Sequence, residues 1–292
     1  MRLKKNMNSI LLICNESNTV INFRKELIQF LIKKNIIVSV IASDDKRKDE
    51  IIALGAKFYC VNFSNRSKSI REFSNTKKQF CKIIKEVNPD RVFTFQIKPN
   101  IIGLKAAKAC GIKRNFAMIE GLGDPFQPHN FKGKILRMLV SFLYKHSLKY
   151  AEKVFFLNEE DRNEFLGRRI INLEKSFIIS GIGIDTSVYV PQYKLPERKN
   201  VLMLSRLIKN KGIIDYCEIA REVRKTRPDI VFELYGEESQ LKKNDIQVYI
   251  DDSSIFYGGF NNNVSDLIKT SRVLSSSSYR EGFHSAILEG MA

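Results

Sequence analysis

Short β-branched and aromatic runs alternate with longer amphipathic stretches up to residue 179, and no other feature limits the fold so tightly. The runs cover residues 10–14, 36–41, 57–61, 91–95, 115–119, 154–157 and 176–179. They are mostly apolar, as strands buried on both faces of a parallel sheet must be. Over residues 20–34, 67–87 and 99–110 the apolar spacing is helical, and strands alternating with helices of this length imply βαβ units. A doubly wound α/β sheet is predicted for the first half.

The pattern loosens near Gly181-Ile182-Gly183-Ile184-Asp185, and Pro191 and Pro196 lie in a polar stretch that ends at Lys199-Asn200. A linker is expected there. A second series follows, with strands over 201–204, 230–235, 254–257 and 273–275. Helices are expected over 212–226, after Glu237, over 262–270 and from Ser285 onward. Two Rossmann-like domains result, 1–182 and 183–292. The second is small beside the common domain size of about 100–150 residues. Because its last helix has little more than two turns, the second domain is expected to be truncated.

A composition of 43% hydrophobic and 28% charged residues is that of an ordinary globular chain. The formal net charge of +17 calls for anionic company: nucleic acid, an anionic membrane face or phosphate-bearing substrates. Charge alone does not choose among them. The five cysteines are scattered and form no C-x-x-C pair, which argues against a disulfide framework or zinc site and fits a reducing cytoplasm. The basic N-terminus precedes an apolar run too short for a secretion signal. No window reaches the ~20 apolar residues needed to cross a bilayer. His129 and His146 lack partners at ligand spacing, and the pairs Asp44-Asp45 and Asp251-Asp252 read as turn residues, so neither metal nor cofactor is expected.

Two segments carry chemistry. In residues 275–292 a strand end leads through a Gly-containing turn into a helix, the place in an α/β sheet where backbone amides gather an anion. Glu281 sits in the turn and Glu289 about one helical turn inside, where both can face one crevice. Glu in a first helical turn is also favourable on dipole grounds alone. In residues 201–212 another strand runs through a loop into a helix, with Arg206 and Lys211 placed to neutralise a departing diphosphate without a metal. The competing reading is that basic residues are common in so cationic a chain.

Together these segments resemble glycosyltransferase family 4. Ser278-Tyr-Arg-Glu281-Gly-Phe-His-Ser-Ala-Ile-Leu-Glu289-Gly-Met-Ala292 is similar to that family's Ser-x-x-E-G-F-x-x-x-x-L-E-A-M-A string, and Arg206 and Lys211 match its Arg-x4-Lys pair, with Gly212 following. The resemblance implies the GT-B architecture, two Rossmann-like domains facing a cleft, and retaining transfer from a uridine-diphosphate sugar. By the same resemblance Glu281 contacts donor-sugar hydroxyls, Glu289 holds the ribose, and the amides of Gly282 and Phe283 approach the diphosphate. His284 departs from the family's usual Pro. Gly236 and Phe260 resemble positions framing the nucleotide base, although glycine at a strand end is also an ordinary turn residue.

In the first half, Ile119-Glu120-Gly-Leu-Gly123 resembles the V-E-G-L-G loop of family members that add N-acetylhexosamine-type sugars to polyprenyl-diphosphate-linked saccharides. Glu120 becomes a candidate for contacting the acceptor hydroxyl or taking its proton. A plain loop carboxylate is the alternative. The first β-α turn resembles the polar turn of this lipid-linked subgroup, which makes Asn15, Asn22 and Arg24 acceptor-binding candidates, with a helix cap as the other reading of Asn22.

Residues 131–150 set Lys132, Lys134, Arg137, Lys145 and Lys149 among large apolar groups. Such a helix suits an anionic leaflet, or else a core-facing position with a solvated basic rim.

The expectation is a cytoplasmic glycosyltransferase of bacterial surface-glycan synthesis, peripheral on the inner membrane face. It would move a hexose or N-acetylhexosamine from a UDP-sugar to a lipid-linked or polysaccharide acceptor. As a truncated chain it is expected to be weakly active or inactive. The rivals are a non-catalytic remnant or scaffold, a GT-B epimerase or phosphorylase, and a basic nucleic-acid-binding protein. The last would need a charged stripe with interleaved aromatics, whereas lysines here are spread over every helix.

Overall fold

The computed structural model describes residues 8–63, 69–126, 130–179, 181–191 and 194–292. The basic residues 1–7, the first two residues of the helix predicted over 67–87, and His129 lie outside the described residues. The chain divides into two compact units, Met1–Ile182 and Gly183–Ala292.

In the first unit the strands are β1 (Ser9–Ile13), β2 (Ile37–Ala42), β3 (Lys57–Cys60), β4 (Arg91–Phe95), β5 (Arg114–Ile119), β6 (Lys153–Phe156) and β7 (Ser176–Ile178). They form one parallel sheet in the order β3-β2-β1-β4-β5-β6-β7. The order reverses between β1 and β4, and in doubly wound sheets ligands bind beyond the strand ends at such a point.

The helices are α1 (Ser17–Lys33), α2 (Lys48–Ala53), α3 (Ile70–Val87), α4 (Leu104–Ala109), α5 (Phe131–Leu148) and α6 (Glu159–Gly167). α2 and α6 were not anticipated, both being short and weakly patterned. The Asn158 side chain caps α6 by accepting from the Asp161 amide at 2.7 Å. One core cluster joins Leu11, Ile13 and Val92 to Phe80 and Ile84 of α3. A second joins Ala117, Val154 and Phe156 to Tyr144 of α5 and Phe165 of α6.

Two local expectations in the first unit need correction. Asn22 caps nothing: α1 starts at Ser17, and Asn22 is exposed inside the helix. The cap comes from a distant residue, Asp44, whose carboxylate accepts from the Ser17 hydroxyl at 2.5 Å and the Ser17 amide at 3.2 Å. The helix predicted over 99–110 opens as a π-type turn, Pro99–Gly103, before α4. There the buried Asn100 accepts from Thr94 Oγ1 at 2.6 Å and donates to the Met118 carbonyl at 2.8 Å, tying the turn to β4 and β5. In the second unit, the helix expected after Glu237 is a short 3-10 turn (Lys243–Ile246) running into α8 (Gln247–Asp251).

The second unit has β8 (Asn200–Leu204), β9 (Val231–Tyr235), β10 (Phe256–Gly259) and β11 (Val273–Ser275), parallel and ordered β10-β9-β8-β11. This repeats the first unit's order of third, second, first and fourth strands. β10 starts later than predicted because Ser253 has φ 58° and the Ser254 amide donates to Asp252 at 2.9 Å, which keeps these residues in a turn. α7 (Ile213–Thr226) packs Ile213, Tyr216, Cys217 and Ala220 against Met203, Phe232 and Leu234. α9 (Val264–Lys269) and α10 (Ser285–Met291) complete the unit.

Candidate active site

Arg206 and Lys211 leave the end of β8, and Glu281 leaves the end of β11. These two strands flank the point where the second sheet reverses its order. The loops are held together by backbone-directed bonds. The Ser277 hydroxyl donates to the Gly212 carbonyl at 2.7 Å, and the Tyr279 amide donates to the Asn210 carbonyl at 3.0 Å. The Tyr279 hydroxyl donates to Asp215 at 2.6 Å.

Gly212 is required here. Its φ is 65°, and a Cβ would lie 2.1 Å from the Ser277 carbonyl oxygen. The Lys211 ammonium and the Glu281 carboxylate form an ion pair, each about a quarter exposed. His284 Nε2 lies 3.7 Å from Glu281 and 2.5 Å from the Ser276 hydroxyl. Burial lowers the His284 pKa and the nearby Lys211 adds to this, against the pull of Glu281. Arg206 is exposed on the same loop as Lys211.

Gly282, Phe283 and Glu289 are half-buried. Glu289, in α10, is hydrogen-bonded to Tyr189; burial raises its pKa and pushes the Tyr189 hydroxyl up to about 12. It lines a cavity of about 200 Å³ with Tyr189, Pro196 and Leu274, to which Arg206, Lys211 and Glu281 do not contribute. Gly236 closes β9 against the β8 loop, where a Cβ would lie 1.9 Å from the Ser205 carbonyl oxygen. Its amide donates to the Gly259 carbonyl at 2.8 Å and its carbonyl accepts from the Tyr257 hydroxyl at 2.8 Å. Phe260 stands exposed just beyond β10.

In the first unit, Asn15, Arg24 and Glu120 come together at the β1/β4 reversal. The Arg24 guanidinium is 3% exposed, pairs with Glu120, and lies 4.2 Å from the centre of the Phe95 ring. Burial lowers its pKa to about 10. Gln96, which follows β4 with φ 65°, accepts from the Asn15 amide at 3.1 Å and donates to Glu120. Asn15 Oδ1 and Arg24 Nε are buried without a hydrogen-bond partner.

Sequence reasoning missed Gln96, although its place directly after a predicted strand at the sheet reversal could have marked it. It also missed Tyr189, Ser277 and Tyr279, which no local pattern distinguishes. One residue of each acidic pair has a structural partner. Asp44 caps α1, and Asp252 pairs with Arg221 at 2.7 Å. Among the described residues no group of three or more His, Cys, Asp or Glu side chains is placed to hold a metal.

Two doubly wound parallel sheets, with the cationic loop of the second beside an acidic one, are the architecture of GT-B glycosyltransferases. Residues 9–158 match the glycosyl transferase 4-like family model and residues 188–292 match that of glycosyl transferases group 1, and the chain belongs to this family of glycosyltransferases.

Over 289 residues it is 27% identical to the N,N'-diacetylbacillosaminyl-diphospho-undecaprenol alpha-1,3-N-acetylgalactosaminyltransferase of Campylobacter jejuni, covering 94% of this chain and 75% of that one. In fold it is similar to Anabaena Alr3699/HepE, solved in complex with UDP and glucose, with a TM-score of 0.72 and 15% identity over 96% of this chain and 77% of that one. It is also similar to sucrose-phosphate synthase of Thermosynechococcus elongatus, with a TM-score of 0.77 and 14% identity over 97% of this chain and 79% of that one.

Proposed function

We propose that this glycosyltransferase is a retaining enzyme that takes a UDP-sugar and transfers a hexose or N-acetylhexosamine to a lipid-linked saccharide in bacterial surface-glycan synthesis. The observation that carries this reading is the Lys211–Glu281 pair, drawn from two strand ends at the reversal of the second sheet. In the transfer, Arg206 and Lys211 would stabilise the negative charge that grows on the leaving diphosphate as the sugar departs. Glu281 would hold donor-sugar hydroxyls, and Glu289 would bind the ribose by exchanging its bond to Tyr189. The amides of Gly282 and Phe283 would approach the diphosphate, and Gly236 and Phe260 would frame the base.

Asn15, Arg24 and Glu120 would bind the acceptor. Both oxygens of Glu120 are engaged, one by Arg24 and one by Gln96, which suits it to orient an acceptor hydroxyl. The UDP and glucose bound by Anabaena Alr3699/HepE and the polyprenyl-linked acceptor named for the Campylobacter enzyme support these choices. No helix among the described residues is long and apolar enough to cross a membrane. A lipid-linked acceptor therefore favours peripheral contact with the anionic cytoplasmic face of a membrane. Family membership favours sugar transfer over the nucleic-acid-binding reading.

Titration calorimetry with UDP tests the donor site. The chain should bind UDP, and the double variant Arg206→Ala, Lys211→Ala should lose about 10²-fold in affinity through the two charge-assisted contacts removed. Equal affinity in both proteins would return the reading to a scaffold without a working donor site.

A further inference from the structure

Helix α5 has two apolar faces. Leu136, Val140, Leu143, Tyr144 and Leu148 pack into the core of the first unit. Phe131, Ile135, Met138, Leu139 and Phe142 are exposed, Met138 at 69% and Phe142 at 56%. Their spacing by threes and fours sets them along one stripe of the helix. A contiguous stripe of large apolar side chains facing water marks a surface that meets something else.

The same stripe continues into polar residues and then a cation. His146 follows Phe142 by one turn, with the two ring centres 4.0 Å apart, and Lys149 follows His146. His146 and Lys149 line a hollow of about 320 Å³ whose other walls include Lys77 of α3 and Lys105 and Lys108 of α4. No carboxylate is among its lining residues. Burial lowers the Lys105 pKa, and Lys77 and Lys149 add to this by repulsion, so a bound anion would relieve the crowding. Lys132, Lys134, Arg137 and Lys145 flank the stripe, and α5 contains no acidic residue.

We propose that the exposed face of α5 and the lysine hollow at its C-terminal end form one docking surface for an anionic phospholipid bilayer. The apolar stripe enters the interfacial region, and Lys77, Lys105, Lys108 and Lys149 meet lipid phosphates. A second copy of the chain could cover the apolar stripe but would bring like charge against the lysines. A bilayer offers apolar depth and negative charge side by side, in the arrangement that the helix presents. The inference rests on the membrane contact proposed above and assigns it to particular residues.

Cosedimentation with phosphatidylcholine vesicles, with and without phosphatidylglycerol, is the test. The chain should bind the anionic vesicles and not the neutral ones, with binding that weakens as salt rises. Met138→Ser with Leu139→Ser should weaken binding about tenfold or more. Lys105→Glu, Lys108→Glu and Lys149→Glu together should weaken it about 10²-fold, since each lysine near an anionic leaflet contributes about fivefold. Circular dichroism melts check that both variants are folded, and UDP calorimetry on them should match the parent chain.

Undiminished vesicle binding in both variants would overturn the assigned surface while leaving membrane contact standing. No vesicle binding by the parent chain would overturn both. A parent dimer that the Met138→Ser, Leu139→Ser variant dissolves, or binding of generic RNA without vesicle binding, would replace the bilayer with another occupant. Loss of UDP binding alone would count only against the donor-site reading.

Discussion

The backbone of Gly212 passes so close to Ser277 that a Cβ on the glycine would sit 2.1 Å from the Ser277 carbonyl oxygen. This approach brings the loop carrying Lys211 against the loop carrying Glu281. Gly212→Ala combines that clash with a left-handed φ of 65° and should cost the second unit about 2–4 kcal/mol. Denaturant unfolding measures it, and UDP affinity should fall with it. A change within experimental error would mean that the loops do not depend on this contact.

Glu281→Gln should separate stability from chemistry. The ion pair with Lys211 is partly exposed, so its loss should change folding stability by less than about 1 kcal/mol. Turnover, followed as UDP release from the donor with acceptor present, should drop about 10²-fold if the carboxylate holds the sugar as charge develops. A large stability loss with turnover unchanged would make this pair a structural device.

In the first unit, Glu120→Gln would leave the Arg24 guanidinium buried without its counter-charge. The expected cost is about 2–4 kcal/mol, read by urea unfolding. Arg24→Met added to Glu120→Gln should recover part of that loss, because the stranded charge is then gone. Additive losses in the double variant would show that the two side chains do not act as a pair.

Glu289 supplies a pH signature. Burial raises its pKa in the folded chain above the ordinary 4.5, so the folded state binds this proton more tightly than the unfolded state does. The associated stability is fully present below 4.5 and is lost as pH rises through the folded value. Glu289→Gln, which stays neutral, should therefore melt close to the parent chain in acid and above it at neutral pH, while its UDP affinity falls. Parallel melting curves across that window would argue against the buried carboxylate.

The strands of both sheets were legible in the chain to within two residues at every end, because a parallel strand buried on both faces leaves a local, almost continuous apolar run. The residues found around the β8 and β11 ends were legible through their likeness to the family's Arg-x4-Lys and Ser-x-x-E-G-F strings, in loops that follow predicted strands, where ligands collect. Asn22 and the start of β10 were misread because the α1 cap comes from the distant Asp44, and the turn at Ser253 from a left-handed backbone. Neither lies in apolar spacing.

By itself the sequence determined the parallel α/β class, the positions of the strands and the loops that carry Arg206, Lys211, Glu120 and Glu281. Only tertiary structure decided that Arg24 meets Glu120, that Gln96 bridges Asn15 to Glu120, that Glu289 turns to Tyr189, and which apolar face of α5 remains in water. The reason is one of range. Periodicity is written in neighbouring residues, whereas a partner across the sheet and the cover over a helix face depend on segments far apart in the chain that meet only when the strands pair.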